Sequence, residues 1–150
     1  MSKTVCTNPT AHKDYHIEEK FETGIELKGS EVKSLRAGQA SLKESFGTIK
    51  EGEVYLINSY IAPYEQANIF NHETKRDRKL LMHRREINRL IGKTKTKGYT
   101  LVPLKIFFSN RYAKLELGLG KGKKNIDKRE DIKRKDAERE MERAIKKKYN

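Results

Sequence analysis

The residues of this chain with the clearest capacity for chemistry are basic, and they occur in four clusters. The clusters are Lys33 with Arg36, residues 75–79 continuing to His83 and Arg84, Lys93 with Lys95 and Lys97, and Lys121 with Lys123 and Lys124. Lysine and arginine bind phosphate groups, and this binding releases the counterions that surround a nucleic acid. One such cluster is typical of a solvated surface, but four in a small domain predict binding to RNA or DNA.

Residues suited to catalysis or metal binding are scattered by comparison. The histidines show no metal-ligand spacing, and they are His12, His16, His72 and His83. Cys6, the single cysteine, is predicted to be an incidental thiol near a loosely held terminus. We therefore expect no enzymatic activity, no metal and no cofactor.

Composition bounds the architecture and the compartment. The chain has 150 residues, of which 35% are hydrophobic and 37% are charged, with a formal net charge of +13. This length allows one domain with an extension, so we predict a folded domain over residues 1–124 and a basic tail over residues 125–150. No apolar run is long enough to span a bilayer, and a single cysteine fits a reducing compartment. A cytoplasmic protein is expected.

Three glycines precede the predicted tail, at positions 118, 120 and 122. A phosphate-binding P-loop needs a lysine followed by serine or threonine, and that pair is absent here. We interpret the glycines as a flexible exit from the folded domain. The tail has few hydrophobic residues, so it is predicted to be disordered when free and to become ordered on a polyanionic partner.

Hydrophobic periodicity predicts a mainly β domain. Helices are predicted from Ser30 to Gly38 and over residues 80–91, and residues 1–13 are expected to be loosely held. The predicted strands are residues 15–22 and 25–28, separated at Gly24, two segments within residues 40–61, and residues 100–108 and 112–117, with an edge-type proline at Pro103. About six short strands with two or three peripheral helices predict a small antiparallel β-barrel of the OB type.

Four segments of the sequence resemble the SmpB family, the small proteins that bind tmRNA in bacterial ribosome rescue. They are residues 17–25, residues 29–38, residues 78–87, and residues 120–124 followed by 127–130. The resemblance implies an OB-like barrel that binds the tRNA-like domain of tmRNA. It also implies that the tail enters the empty mRNA channel of a stalled ribosome, near the decoding centre of the small subunit.

The resemblance also implies roles for individual residues. It associates Glu22 and Leu81 with RNA binding, whereas the residue pattern alone is typical of a strand-end glutamate and a core leucine. Together with the basic clusters, the predicted RNA-binding residues are Glu22, Lys33, Arg36, Lys79, Leu81, His83, Arg84, Lys123 and Lys124. The predicted ribosome-binding residues of the tail are Asp127, Lys128, Arg129, Ile132, Lys133 and Arg134.

Two other functions are weighed against this one. A generic OB protein that binds single-stranded RNA or DNA would share the same charge and fold. A basic nuclease or other hydrolase would require clustered histidines and carboxylates, which the spacing does not provide.

Overall fold

Strands dominate the computed structural model, which describes residues 2–64 and 72–123. The residues predicted beyond Lys123, including Lys124 and the whole tail, lie outside the described residues. The described strands are β1 Ser2–Thr7, β2 Tyr15–Ile25, β3 Ala40–Ser41, β4 Phe46–Lys50, β5 Glu53–Ile57, β6 Tyr60–Ile61, β7 Arg78–Leu81, β8 Tyr99–Ser109 and β9 Tyr112–Gly122, and the described helices are α1 Ala11–Asp14, α2 Gly29–Arg36 and α3 Arg84–Thr94. None of these helices is long and apolar enough to cross a membrane.

The main sheet nearly closes into a barrel. Its strands follow the order β1-β8-β4-β5-β7-β2-β9, every pair is antiparallel, and β8 also pairs with β9. The six strands from β8 round to β9 therefore form a ring, and β1 extends it outside β8. This arrangement confirms the prediction of a mainly β, OB-like barrel with peripheral helices.

Alternating leucines build the core of this barrel. Leu115, Leu117 and Leu119 of β9 are fully buried, because successive side chains of a strand point to opposite faces and these three share the inner face. They join Leu56 and Leu80 from the opposite side of the ring in one hydrophobic cluster.

The ring closes at a position that requires glycine. Strands β4 and β8 share one register pair, Gly47 with Leu101. A Cβ atom on Gly47 would lie 2.7 Å from the Cβ of Leu101, closer than two carbon atoms can approach. The missing side chain lets the two strands meet at this seam.

Helix α2 is fixed to the barrel by a buried carboxylate. Glu31 accepts hydrogen bonds from Arg78 Nε at 2.6 Å and from Arg76 Nη2 at 2.5 Å. It also accepts one from the backbone N–H of Lys28 at 2.8 Å, which caps the helix. Burial acts to raise the pKa of Glu31, but the hydrogen bonds and the positive charges outweigh burial and hold this pKa below its usual range.

The N-terminal segment differs from its prediction. Residues 1–13 were expected to be loose, yet β1 pairs with β8 from Ser2 to Thr7 and α1 follows. The side chain of Asn8 donates to the carbonyl of Pro103 at 2.9 Å, and its backbone N–H donates to Leu104 at 2.8 Å. Long-range pairing of a polar strand leaves no periodic signal in the segment itself.

The segment predicted as one helix over residues 80–91 is a strand followed by a helix. Leu80 and Leu81 end β7, and α3 begins at Arg84 after the helix cap at His83. The buried residues Ile87 and Leu90 keep helical spacing. The two leucines are part of β7 because Leu80 pairs across the sheet with neighbours on both sides.

All three glycines lie in β9, and Gly118 and Gly120 are packed there, so the interpretation as a flexible exit is wrong for these two; Gly122, the last residue of the strand, is exposed. A Cβ on Gly118 would lie 3.1 Å from Ile17, and one on Gly120 would lie 3.0 Å from the same side chain. Their absent side chains leave room for the side chain of Ile17 to lie across β9. Gly24 likewise does not interrupt β2, because it pairs with Leu81 of β7 on one side and with Lys114 of β9 on the other.

The edge-type assignment of Pro103 is also wrong. Strand β8 is interior, since it pairs with β9 along one side and with β1 and β4 along the other. Leu104 is an extra residue between the paired positions Pro103 and Lys105, which makes a β-bulge. A bulge is the interior place where a strand tolerates proline.

We expect Glu31→Gln to destabilise the fold by about 3–5 kcal/mol at neutral pH, because it leaves Arg78 buried without its counter-ion. A carboxylate with a lowered folded pKa stabilises the protein above its unfolded pKa of about 4.3 and loses that contribution as pH falls. The deficit relative to the unchanged protein should therefore shrink below about pH 4. Urea unfolding at pH 7 and in steps down to pH 3 measures it.

The matched control is Glu26→Gln, which removes an exposed carboxylate next to the same helix. Its effect should stay within about 0.5 kcal/mol at every pH. Equal unfolding midpoints for Glu31→Gln and the unchanged protein at pH 7 would contradict the role of this ion pair.

Candidate nucleic-acid interface

A cleft of about 360 Å³ brings together three residues predicted to bind RNA: Glu22, Leu81 and His83. Glu22 and Leu81 come from β2 and β7, which pair antiparallel next to this site. Gly24 faces Leu81 in the register, and a Cβ atom on Gly24 would lie 3.2 Å from the Cβ of Leu81. Half of the leucine surface stays exposed, at 50%.

Helix α3 places the imidazole of His83 at the rim of the cleft. His83 is the N-cap residue, and its backbone N–H donates to Glu86 at 3.3 Å while its carbonyl accepts from Ile87 at 3.1 Å. Ile87 and Leu90 anchor the helix in the core. The cap therefore holds an exposed imidazole and a carboxylate at the cleft.

A lysine that sequence reasoning missed completes the cleft. Lys114 of β9 lies opposite Gly24 in the register, and its Nζ atom donates to Glu22 Oε1 at 2.5 Å. Both side chains are partly exposed, so water and salt screen their attraction. The cleft thus offers a carboxylate acceptor, an ammonium donor and an aliphatic platform. Only the pairing of β2 with β9 could have revealed Lys114.

Lys79 and Arg84 lie next to each other but are both directed at Glu53. Arg84 donates to Glu53 at 2.7 Å and to the carbonyl of Gly52 at 2.7 Å, and Lys79 Nζ lies 4.0 Å from the same carboxylate. The hydrogen bond from Arg84 lowers the pKa of Glu53. These two predicted residues form a partly neutralised patch outside the Glu22 cleft.

Helix α2 presents Lys33 and Arg36 on its exposed surface, away from the Glu22 cleft and with different neighbours from each other. The Nζ atom of Lys33 lies 5.2 Å from the ring centre of Tyr64, a cation–π contact. Arg36 lines a different cleft together with Lys3 and Arg111. Neither residue lines the cleft that contains Glu22.

Lys123 lies at the far end of the β2–β9 pair from Glu22. Its backbone N–H donates to the carbonyl of Asp14 at 2.8 Å. The pairing runs from Tyr15 at that end to Gly24 near the cleft, which is about 30 Å of strand. Lys124 and the predicted tail residues lie outside the described residues.

Part of the basic segment 75–79 has a structural role. Arg78 is fully buried, and it contacts Glu31 and the backbone and side chain of Ser59. Arg76 also binds Glu31. These two arginines are therefore not available to phosphate, and the number of surface cations is smaller than the sequence suggests.

The described residues show no grouping suited to metal catalysis. Within residues 2–64 and 72–123, no three His, Cys, Asp or Glu side chains lie close enough to hold a metal ion. Cys6 is half-buried in β1, and burial raises the pKa of its thiol. A raised pKa keeps a thiol protonated and a weak nucleophile.

Comparison with known proteins gives the family. The SmpB protein family model matches residues 5–147. The chain belongs to the SmpB family. It is 62% identical to the SsrA-binding protein of Bacillus subtilis (strain 168) over 143 residues, covering 95% of this chain and 92% of that protein. It is 58% identical to the SsrA-binding protein of Carboxydothermus hydrogenoformans over 149 residues, covering 99% and 100%.

A solved SmpB structure has a similar fold. It is described as "tmRNA-SmpB: a journey to the center of the bacterial ribosome", and it matches with a TM-score of 0.67 and 51% identity over 84% of this chain and 92% of that chain. The SmpB family resemblance stated from four sequence segments is thus confirmed. The family match extends past Lys123, so it includes most of the predicted tail.

A comparison of Leu80 and Leu81, adjacent residues of β7, tests whether Leu81 is a surface residue or part of the core. We expect Leu81→Ala to lower the free energy of unfolding by less than about 1 kcal/mol, because half of the side chain is already exposed. Leu80→Ala, its matched control, should cost about 2–5 kcal/mol because Leu80 is fully buried. Urea unfolding of both variants makes the comparison. Equal losses would assign Leu81 to the core.

Proposed function

We propose that this protein binds the tRNA-like domain of tmRNA and delivers it to stalled ribosomes in trans-translation. The observation that carries the proposal is a solvent-open cleft formed by Glu22, Leu81 and His83 in a chain that matches the SmpB family over residues 5–147. Its SsrA-binding relatives and the tmRNA–SmpB structure support the same partner. The protein acts in the cytoplasm as a binding protein without catalysis.

The cleft offers contacts suited to a folded RNA with unstacked bases. The exposed face of Leu81 packs against a base or a ribose, as apolar side chains do in RNA recognition. Glu22 accepts hydrogen bonds from exocyclic amino groups or from a 2′-hydroxyl, both of which are donors. On binding, Lys114 turns away from Glu22 and contacts a phosphate of the RNA backbone. The Glu22 carboxylate is then free to accept hydrogen bonds from the base.

Longer-range attraction comes from the net charge of +13. Exposed cations such as Lys33 and Arg36 raise the rate of encounter with RNA and contribute phosphate contacts. They carry no sequence information, so selectivity for a tRNA-like RNA depends on the shape of the cleft and on base contacts.

The tail is proposed to act in a separate step on the ribosome. Residues 125–150 carry the predicted contacts Asp127, Lys128, Arg129, Ile132, Lys133 and Arg134. Alternating basic and acidic residues suit a channel walled by ribosomal RNA, where the cations meet phosphates. In this proposal the barrel selects tmRNA and the tail engages the empty mRNA channel near the decoding centre.

Binding to the tRNA-like RNA in the presence of excess single-stranded DNA tests the first step. We expect wild-type binding to survive the competitor. Glu22→Ala and Leu81→Ala should each weaken binding at least tenfold while leaving the thermal transition close to wild type. Loss of all binding in the presence of the competitor would favour a generic single-strand-binding protein.

Truncation after Lys124 tests the second step. The shortened protein should bind the tRNA-like RNA within about threefold of the full chain, because the Glu22 cleft is retained. Peptide tagging of stalled chains on ribosomes should be abolished. Persisting tagging would reduce the tail to an electrostatic appendage. Collapse of RNA binding would make it part of the primary site.

A further inference from the structure

A second carboxylate lies directly opposite Glu22 on the outer face of the sheet. Glu116 of β9 is the cross-strand partner of Glu22 in the β2–β9 register, so the Cβ atoms of the two residues are about 5 Å apart. Glu116 does not line the Glu22 cleft but lies next to it, two residues after Lys114. Like charges placed directly opposite each other in a sheet are destabilising, so nearby cations must compensate this pair.

Different lysines compensate the two carboxylates. The Nζ atom of Lys114 lies 2.5 Å from Glu22 Oε1, and the Nζ atom of Lys20 lies 3.7 Å from Glu116 Oε1. Each pair joins a residue of β2 to the residue two positions before its register partner in β9, a diagonal that long side chains can span. Lys105 of β8 is the cross-strand partner of Glu116 on its other side, and its Nζ atom lies 3.6 Å from Glu116 Oε2. Glu116 is therefore held between two lysines.

This arrangement leaves the Glu22 carboxylate open to solvent. Its side chain is 56% exposed, and Lys114 is the one side chain among the described residues that donates to it, at Oε1. Lys20 lies two residues before Glu22 on the same face of β2, about 7 Å along the strand, and the flexible lysine side chain can cover that distance. Without Glu116, Lys20 would turn to Glu22. Its ammonium group would then compete with RNA donors for the same carboxylate oxygens.

We infer that Glu116 is a positioning residue for the Glu22 cleft, because it retains Lys20 and so keeps the Glu22 carboxylate available to RNA. This inference rests on the proposed function, in which Lys114 leaves Glu22 for a phosphate of the RNA. At that step Lys20 could take the place of Lys114, and the ion pair with Glu116 prevents the exchange. A negative charge beside the site thus favours specific binding, although it opposes the general attraction between a basic protein and RNA.

The variant Glu116→Gln tests this role, and Glu26→Gln is the matched control because it removes the same charge from an exposed position outside the cleft. Dissociation constants are measured for an isolated tRNA-like domain RNA and for a single-stranded RNA of equal length, at physiological salt. The control becomes more positive, so it should bind both RNAs slightly more tightly, by less than about threefold. Glu116→Gln should show the same gain toward single-stranded RNA. Toward the tRNA-like RNA it should bind at least about threefold more weakly than the control, a modest effect because exposed ion pairs are weak.

Two double variants distinguish positioning from damage to the sheet. Glu116→Gln with Lys20→Gln removes the competing ammonium group and restores the wild-type net charge, so it should bind the tRNA-like RNA within about twofold of wild type. Glu116→Gln combined with Glu22→Ala should bind no more weakly than Glu22→Ala alone, because both changes act through one carboxylate. The thermal transitions should stay close to wild type, since these charged side chains lie on the outer face of the barrel.

Glu22→Ala, measured alongside, separates this inference from the proposed function. If Glu22→Ala weakens binding but Glu116→Gln binds the tRNA-like RNA as tightly as the control, the inference is overturned and the proposed function stands. The same conclusion follows if Lys20→Gln fails to restore binding, because Glu116 then does not act by retaining Lys20. If wild type shows no preference for the tRNA-like RNA, the proposed function fails and the inference fails with it.

Discussion

The buried ion pair between Glu31 and Arg78 is the interaction that holds α2 against β7, the strand that brings Leu81 to the Glu22 cleft. Taking both charges out of water is costly, and the attraction between them offsets that cost only when every other hydrogen-bonding group is also satisfied. Arg78 meets this condition, because its guanidinium also donates to the carbonyl and hydroxyl of Ser59, at 2.9 Å each, and to the carbonyl of Thr74 at 3.1 Å. No buried side-chain N or O atom among the described residues lacks a partner. The pair therefore joins α2 to β7, three residues before Leu81 at the end of that strand.

The same pair explains why a basic run in the sequence is not a basic surface. Successive side chains of a strand point to opposite faces, so in β7 Arg78 enters the interior while Lys79 faces outward to Glu53. Arg76, just before the strand, turns to Glu31 as well. A cluster of cations in a strand therefore divides between structure and surface. A basic run in the sequence therefore overstates the number of cations that this segment presents at the surface.

Much of the fold could be predicted from the sequence because the signals were local. Alternating leucines predicted β9, and glycine with serine predicted the limits of α2. The start of the helix predicted from residue 80 was wrong, because Leu80 and Leu81 precede the apolar face of α3 and extend its apparent period. The packed role of Gly118 and Gly120 could not be predicted, since it depends on Ile17, about 100 residues away. Strand register is a property of pairs of segments.

The candidate site likewise combines residues that could be predicted from the sequence with one that depends on strand pairing. The resemblance to a family pointed to Glu22 and Leu81, and strand pairing brings them to one cleft with His83. It gave no indication of Lys114, because only the pairing of β2 with β9 places this lysine against Glu22. An exposed leucine by itself is unremarkable on a protein surface. Here it lies over Gly24, beside the ion pair between Lys114 and Glu22. Its candidate role depends on these neighbours, which the pairing of β2 with β7 and with β9 places around it.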